Sequence, residues 1–449
     1  MQLPAVLTVA GPTARSEARP LALSTALGIV SIALDLARPW PLALAIDYAI
    51  AGRTLLGLTP SALLVSAGIA LVVLTAISGL VDMAAEVCAE NAAERIGARL
   101  RQEVFDRAMG LSLRWHDRMR SGELISRLTT DVGRLLDAVV AMTSTLVPDA
   151  VRLVVVLAIL AVLNPALLVV ALAVVPALLL FAVRQRRNVR SVQQEARAES
   201  GRFAATATDL VRNVRAVQAF GRAGLTSTSF RTRSTALRDI NQRAIATEAR
   251  WSPVADVVLA LGSGLVLVVG GRQVLDGSLT TGELLVVMTY LGALYSPIRG
   301  LSRLAGVLAK SAASASRVQD VLASAERVAD RPDARPAPVL PREVRFANVG
   351  FGYDSARPVL DGFDLTVRAG QTVCLYGPSG AGKSTILHLV LRLYDVDAGA
   401  VTLDGVDVRA IDPADLHRRV ALVPQDPWLL DAGIAENIAF GAERVTRQA

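Results

Sequence analysis

Long apolar runs separated by arginine-rich stretches set the pattern from residue 21 to about residue 308. A bilayer core about 30 Å thick is crossed by roughly 20 helical residues at about 1.5 Å each. Runs of that order are predicted over 21–50, 61–81, 146–163, 166–183, 254–271 and 284–308. Asp35, Arg38, Pro39 and Pro41 interrupt the first, and Pro297, Arg299 and Arg303 interrupt the last. Only Asn164-Pro165 separates the third from the fourth, which leaves room for nothing longer than a tight hairpin of two helices. Six membrane helices are expected.

The basic residues alternate with these runs. Arg15 and Arg19 precede the first, while Arg53 stands alone between the first and second and Arg272 alone between the fifth and sixth. The stretches from Arg95 to Arg134 and from Arg184 to Arg250 are dense in arginine. Because cytoplasmic connections carry the excess of Lys and Arg, both termini and both long connections are expected on the cytoplasmic side of an inner membrane. In the first connection Ile96, Leu100, Val104, Ala108 and Leu111 share one helical face, with Arg95, Arg99, Arg101 and Arg107 around it. A helical excursion of this length, down and back, reaches about 45 Å from the membrane.

Composition agrees. The chain has 449 residues, 52% hydrophobic and only 19% charged, with a mean hydropathy of +0.44, which excludes a disordered polymer. At roughly 150 residues per domain, about three structural units are expected. A net charge of +7 raises nucleic acid as a partner. The arginines, however, are accounted for by their placement beside membrane helices, and no nucleic-acid partner is expected. Cys88 and Cys374 lie too far apart to suggest a metal spacing or a disulfide framework. The apolar stretch from Leu3 to Ala10 has no positive charge before it, so no cleavable signal peptide is expected. Asp35 and Arg38 are spaced to meet on one helix face inside the first run. Charge within a membrane helix marks a candidate for substrate contact, although such a pair also serves simply to neutralise itself; Asp256 is open to the same two readings.

From about Ala329 the character changes. Pro332, Pro336, Pro338 and Pro341 describe an extended linker. Short strands are predicted over 344–353 and 365–367, and an apolar strand over Gln371 to Tyr376 runs into Gly377-Pro378-Ser379-Gly380-Ala381-Gly382-Lys383-Ser384-Thr385. A helix carrying Ile386, Leu387, Leu389, Val390 and Leu393 follows. This is the G-x-x-x-x-G-K-[ST] pattern in its strand–loop–helix context. Glycines let backbone N–H groups curl around phosphates, and the helix N-terminus adds a favourable dipole. Lys383, one of only two lysines in the chain, is positioned for the β- and γ-phosphates, and the Ser384 hydroxyl for Mg²⁺. Val401-Thr402-Leu403-Asp404 followed by Gly405 reads as a hairpin with an Asp-Gly turn.

Together these features resemble an ATP-binding cassette transporter of the exporter fold. The resemblance implies an all-α transmembrane domain of six helices with long cytoplasmic helical hairpins, followed by an incomplete α/β P-loop nucleotide-binding domain. Its divisions fall at 1–20 for a cytoplasmic segment, 21–310 for the membrane domain, 311–342 for the linker and 343–449 for the nucleotide domain. ATP and Mg²⁺ are the implied cofactors. Tyr353 matches the aromatic that stacks on adenine. Gly377 through Thr385 form the phosphate cradle. Gln425, in Val423-Pro424-Gln425-Asp426, matches the glutamine that approaches Mg²⁺ and the attacking water, so Lys383 and Gln425 take the catalytic roles and Ser384 and Gln425 the metal. Glu436-Asn437-Ile438 with Gly441 resembles the opening of the helical subdomain. Gly122 to Leu128 with Asp131 resembles the segment that couples the membrane and nucleotide domains, and Val214 to Phe220 resembles its counterpart in the second hairpin. Pro39 with Asp47 fits the first membrane helix.

The family's signature loop, Asp-Glu strand and switch histidine are not found in these 449 residues; His388 and His417 stand elsewhere. The chain by itself is therefore expected not to hydrolyse ATP, and an apolar sheet edge is expected to be exposed. The resemblance implies a second half-transporter as obligatory partner, because each ATP lies between one subunit's phosphate loop and the other's signature loop. Membrane lipid and an unidentified small-molecule, lipid or peptide substrate complete the partners. Two classes stay open: an ATP-driven half-transporter, exporting or importing (siderophores, for instance), and a non-hydrolysing nucleotide-binding membrane subunit.

Overall fold

The computed structural model describes residues 2–50, 52–55, 57–119, 121–326, 334–354, 357–425 and 428–441; side chains over most of 174–190 lie outside this description. In chain order the helices are α1 (Gln2–Ser16), α2 (Ala18–Ala37), α3 (Pro39–Leu44), α4 (Pro60–Met109), α5 (Leu113–Arg118), α6 (Ser121–Ser126), α7 (Val132–Ala141) and α8 (Val147–Leu163). They continue with α9 (Pro165–Arg212), α10 (Val214–Ala219), α11 (Ala223–Ala249), α12 (Trp251–Leu275), α13 (Thr281–Ala293), α14 (Tyr295–Leu322), α15 (Lys383–Val390), α16 (Pro413–Arg419) and α17 (Ile434–Ala439). The chain divides into two compact units, Met1–Glu103 with Arg127–Gln319 and Val104–Ser126 with Asp320–Ala449.

The first unit is helical. Among the described residues, Ala18–Ile50, Pro60–Met109, Gly122–Leu163 and Asp256–Leu275 are long and apolar enough to cross a membrane. The expected fourth crossing lies on α9, across side chains outside the description. The expected first and last crossings are broken where proline chemistry requires it. Proline lacks the N–H that would bond the carbonyl four residues back, and its ring crowds that carbonyl. Pro39 accordingly divides α2 from α3, and Pro297 stands four residues after the end of α13 at Ala293. Residues 311–322, placed in the linker on sequence grounds, continue α14.

The Asn164-Pro165 hairpin is built as its residues dictate. Asn164 caps α9, its side chain accepting from Ala166 N at 3.1 Å and Leu167 N at 3.2 Å, and Pro165 occupies the first helical position, where no N–H is needed. At α13 the Thr280 hydroxyl accepts from Glu283 N while Glu283 accepts from Thr280 N, a reciprocal cap. Asp47 adds a second carboxylate there, accepting from Gly282 N at 2.7 Å and from the Thr280 hydroxyl at 2.7 Å. Ile32, Leu36, Val156, Leu160, Leu167, Val266, Val286, Val287, Tyr290 and Leu291 form the buried core of this unit. The outward faces of α4 and α12 stay apolar and exposed, as at Val65, Ile69, Val72, Leu261 and Leu265.

In the second unit four antiparallel strands, β1 (Glu343–Phe351), β2 (Leu360–Arg368), β3 (Ala398–Leu403) and β4 (Val406–Asp407), form a sheet in the order β2-β1-β3-β4. Asp404 (φ +49°) and Gly405 (φ +79°) make the β3–β4 turn, the two left-handed residues that a tight hairpin requires. The Asp404 carboxylate accepts from Arg342 N and Glu343 N and fixes that end of the sheet. Phe346, Val349, Phe351, Leu360, Ile386, Leu389, Val401, Leu403, Ile411 and Leu416 form the core, with Leu113 of α5 packed against it.

One predicted strand is absent. Gln371 to Tyr376 joins no ladder among the described residues; Val373 is 43% and Tyr376 99% exposed. An apolar sequence is not a strand until a neighbour takes its N–H and C=O groups. Leu375 alone turns toward the core.

Candidate nucleotide site

The phosphate-loop sequence folds into a glycine-shaped turn leading into α15. Gly380 (φ +84°) and Gly382 (φ +83°) are both left-handed, and Gly382 is the residue immediately before the helix. A Cβ on Gly382 would also come to 3.1 Å from Leu360 Cδ2 and Val359 Cγ1, so conformation and space both demand glycine there. The Lys383 ammonium folds over the loop and donates to Gly377 O at 2.9 Å and Pro378 O at 2.7 Å. Ser379, Gly380, Ala381 and Ser384 are exposed. The helix start, whose first N–H groups have no partner within the helix, and the lysine thus lie together at an exposed loop, the combination of donors that phosphate oxygens need. These residues fit a nucleotide triphosphate with its Mg²⁺: Lys383 as counter-charge, Ser384 Oγ as a hard oxygen donor to the metal.

Tyr353 belongs to the same place. Its hydroxyl lies 3.1 Å from Thr385 Oγ1 and 3.5 Å from His388 Nδ1, both on α15. Thr385 is buried, and its hydroxyl is taken by Tyr353. Gln425 lies in an irregular exposed stretch; no hydrogen bond among the described residues ties it to the loop, and Asp426 lies outside the description. Asn437 of α17, in the segment read as the start of the helical subdomain, accepts from Leu430 N and donates to Leu430 O, which ties the turn before the helix to its first turns.

Sequence reasoning missed the surroundings of Tyr353. Phe351 and Tyr394 pack edge-on against its ring, with centroids at 5.1 and 5.3 Å. The Tyr394 hydroxyl donates to Asp117 on α5, and burial, then this carboxylate, hold its pKa above the ordinary phenol value. Arg114, also on α5, places its guanidinium 5.8 Å from the Phe351 ring centroid and donates to Gly352 O at 3.3 Å. Asp397 accepts from Gly352 N at 2.9 Å and pairs with Arg114 at 3.4 Å. Among the described residues, Leu113–Arg118 of the first long connection thus contact the nucleotide sheet and its aromatic cluster. Asp131, which ends the segment resembling the coupling element, accepts from Ser314 and Arg317 within the first unit. Only the long separation of these partners in sequence hid the α5 contacts; no motif marks them.

With the geometry in place, comparison defines the class. Residues 21–298 match the family model for the ABC transporter transmembrane region, and residues 360–449 match that for the ABC transporter nucleotide domain, described simply as ABC transporter. The chain belongs to the ABC transporter family. It is 31% identical over 349 residues to a fatty acid ABC transporter ATP-binding/permease protein of Mycobacterium bovis, covering 78% of this chain and 55% of that protein. It is 28% identical over 350 residues to an ATP-dependent lipid A-core flippase of Syntrophus aciditrophicus, covering 78% and 58%. The chain thus spans little more than half the length of these relatives. A solved bacterial Atm1-family ABC exporter with ATP bound superposes with a TM-score of 0.74 at 25% identity, over 97% of this chain and 76% of that one.

Proposed function

We propose that this chain is one subunit of a dimeric exporter-fold transporter that uses ATP to move a lipid-like amphiphile across the cytoplasmic membrane. The observation that carries the reading is the Gly377–Thr385 loop, with Lys383 folded over it and the left-handed Gly382 opening α15. In this reading Lys383 holds the β- and γ-phosphates and Ser384 contributes an oxygen to Mg²⁺. Tyr353, fixed to α15 through Thr385, takes the adenine, and Gln425 approaches the metal and the attacking water. Mg²⁺ held there by Ser384 and Gln425 would supply charge neutralisation at the phosphates. A lipid-like cargo is supported by two relatives, a fatty acid transporter and a lipid A-core flippase, and by the apolar, exposed membrane helices.

Binding of a fluorescent ATP analogue to the purified chain tests this. Lys383→Ala removes the main side-chain counter-charge of the phosphates, a loss of about 1.5–3 kcal/mol or more for a charge-assisted contact. At least about tenfold weaker binding is expected. Equal affinity in the variant and the wild type would end the proposal.

A further inference from the structure

Inside the membrane helices of the first unit, polar side chains from three helices converge on one carboxylate. Asp35 of α2 is met by Arg38 at 3.0 Å, by Arg152 of α8 at 3.0 Å and by the Ser78 hydroxyl of α4 at 2.8 Å. Ser78 lies in turn 3.3 Å from Ser31. The Asp35/Arg38 spacing was readable in the sequence; Arg152 and Ser78 come from 117 and 43 residues away.

The charges in this group do not balance. Among the described residues one carboxylate accepts from two guanidinium groups, so this hydrogen-bonded set carries a net positive charge. Asp149, one turn earlier on α8, is directed at Gly300 of α14. Arg38 Nε is buried and has no hydrogen-bond partner among the described residues. Yet the Arg38 and Arg152 side chains keep 33% and 24% of their surface open. An unmatched charge within a low-dielectric layer is costly until an anion joins it, and hydrocarbon tails supply none. Guanidinium donors suit the paired oxygens of a carboxylate or phosphate. Beside this group, Trp40 donates to the Tyr290 hydroxyl at 2.9 Å, and Tyr290 donates to Leu36 O at 2.5 Å. Those polar atoms are closed on one another; the Tyr290 ring is buried in the core, and the Trp40 ring, 37% exposed, is left as apolar surface. An oxyanion next to an apolar wall is the arrangement an anionic amphiphile fits.

We propose that Arg38 and Arg152 bind the oxyanionic headgroup, carboxylate or phosphate, of an amphiphile whose tail lies along the membrane helices. This rests on the lipid-transport reading above and narrows its substrate to anionic amphiphiles.

The test uses the full chain in phosphatidylcholine nanodiscs. Four fluorescent probes are compared: a long-chain fatty acid, its methyl ester, a phosphatidic acid and the matching diacylglycerol. The acid should bind at least about tenfold more tightly than the ester, or the phosphatidic acid than the diacylglycerol. Arg38→Gln and Arg152→Gln should each reduce that ratio to near unity, whereas Arg152→Lys, which keeps the charge, should retain a preference for the anion. Binding of the fluorescent ATP analogue to the same samples reports folding. If a glutamine variant loses it, the wild-type ratio and Arg152→Lys decide. Equal binding of acid and ester and of phosphatidic acid and diacylglycerol in wild type, or a ratio that survives both glutamine substitutions, overturns the proposal. Displacement of the probes by inorganic phosphate at equal concentration overturns the amphiphile as occupant. If Lys383-dependent nucleotide binding persists while the anion preference is absent, this inference fails and the transporter reading stands; loss of nucleotide binding in wild type strikes the transporter reading itself.

Discussion

Tyr394 donates its phenolic proton to Asp117, 277 residues earlier in the chain, and so fastens α5 to the aromatic cluster around Tyr353. Neither residue stands in a recognisable motif. Both residues belong to the second unit, in which Val104–Ser126 of the first long connection fold together with the phosphate loop.

Tyr394→Phe should therefore lower the thermal stability of this unit by about 1 kcal/mol, read as a reduced Tm in detergent. Asp117→Asn should do the same, and the double variant should lose less than the sum. The bond also has a pH signature. Because the folded pKa of Tyr394 lies above the unfolded phenol value, its contribution is complete below about pH 10 and fades as pH rises through the folded pKa. Among the six tyrosines of the chain, Tyr394 should be the last or among the last to show phenolate absorbance in an alkaline titration.

Gly282→Ala should destabilise the membrane unit. The added Cβ would meet Asp47 Oδ2 at 2.4 Å and Ala43 O at 2.5 Å, and it would push the Asp47 cap off α13. A loss of about 1–3 kcal/mol is expected from overpacking. Gly292→Ala on the same helix, where a Cβ meets nothing within 4 Å, is the matched control and should leave Tm unchanged or raise it.

Gly382→Ala should weaken nucleotide binding and stability together. Its left-handed backbone costs an L-residue about 1–2 kcal/mol, before the contacts with Leu360 and Val359 are counted. Gly370→Ala, also left-handed but in open space, should cost stability and spare binding of the ATP analogue.

Topology is tested with single cysteines after Cys88 and Cys374 have been replaced. Cysteines at Arg118 and Arg222 should resist a membrane-impermeant thiol reagent in intact cells, while one at Arg53 reacts. Labelling at Arg118 comparable to that at Arg53 would reverse the orientation.

What was legible in the sequence is what short-range chemistry decides. The face of Ile96, Leu100, Val104, Ala108 and Leu111 was read from spacing, and all five are buried. Asn164-Pro165 and Asp404-Gly405 are turns because each residue there can do little else. The phosphate loop was readable for the same reason: its glycines answer to local backbone geometry. Gln371 to Tyr376 was misread because strand formation depends on a partner that an apolar run does not name. Arg152 and Asp117 are invisible as partners in the sequence because an ion pair or a hydrogen bond across more than a hundred residues leaves no period in the chain.

Lys383 gives the molecule an analytical property of its own. It is one of two lysines, and its ammonium lies against two loop carbonyls while Lys310 is exposed on α14. An acylating reagent thus has only these two side-chain amines to choose from, besides the N-terminus. Peptide mass analysis of the ratio of acylation at 383 to that at 310 would follow occupancy of the loop in the unmodified protein, with Lys310 as the internal standard and no engineered label.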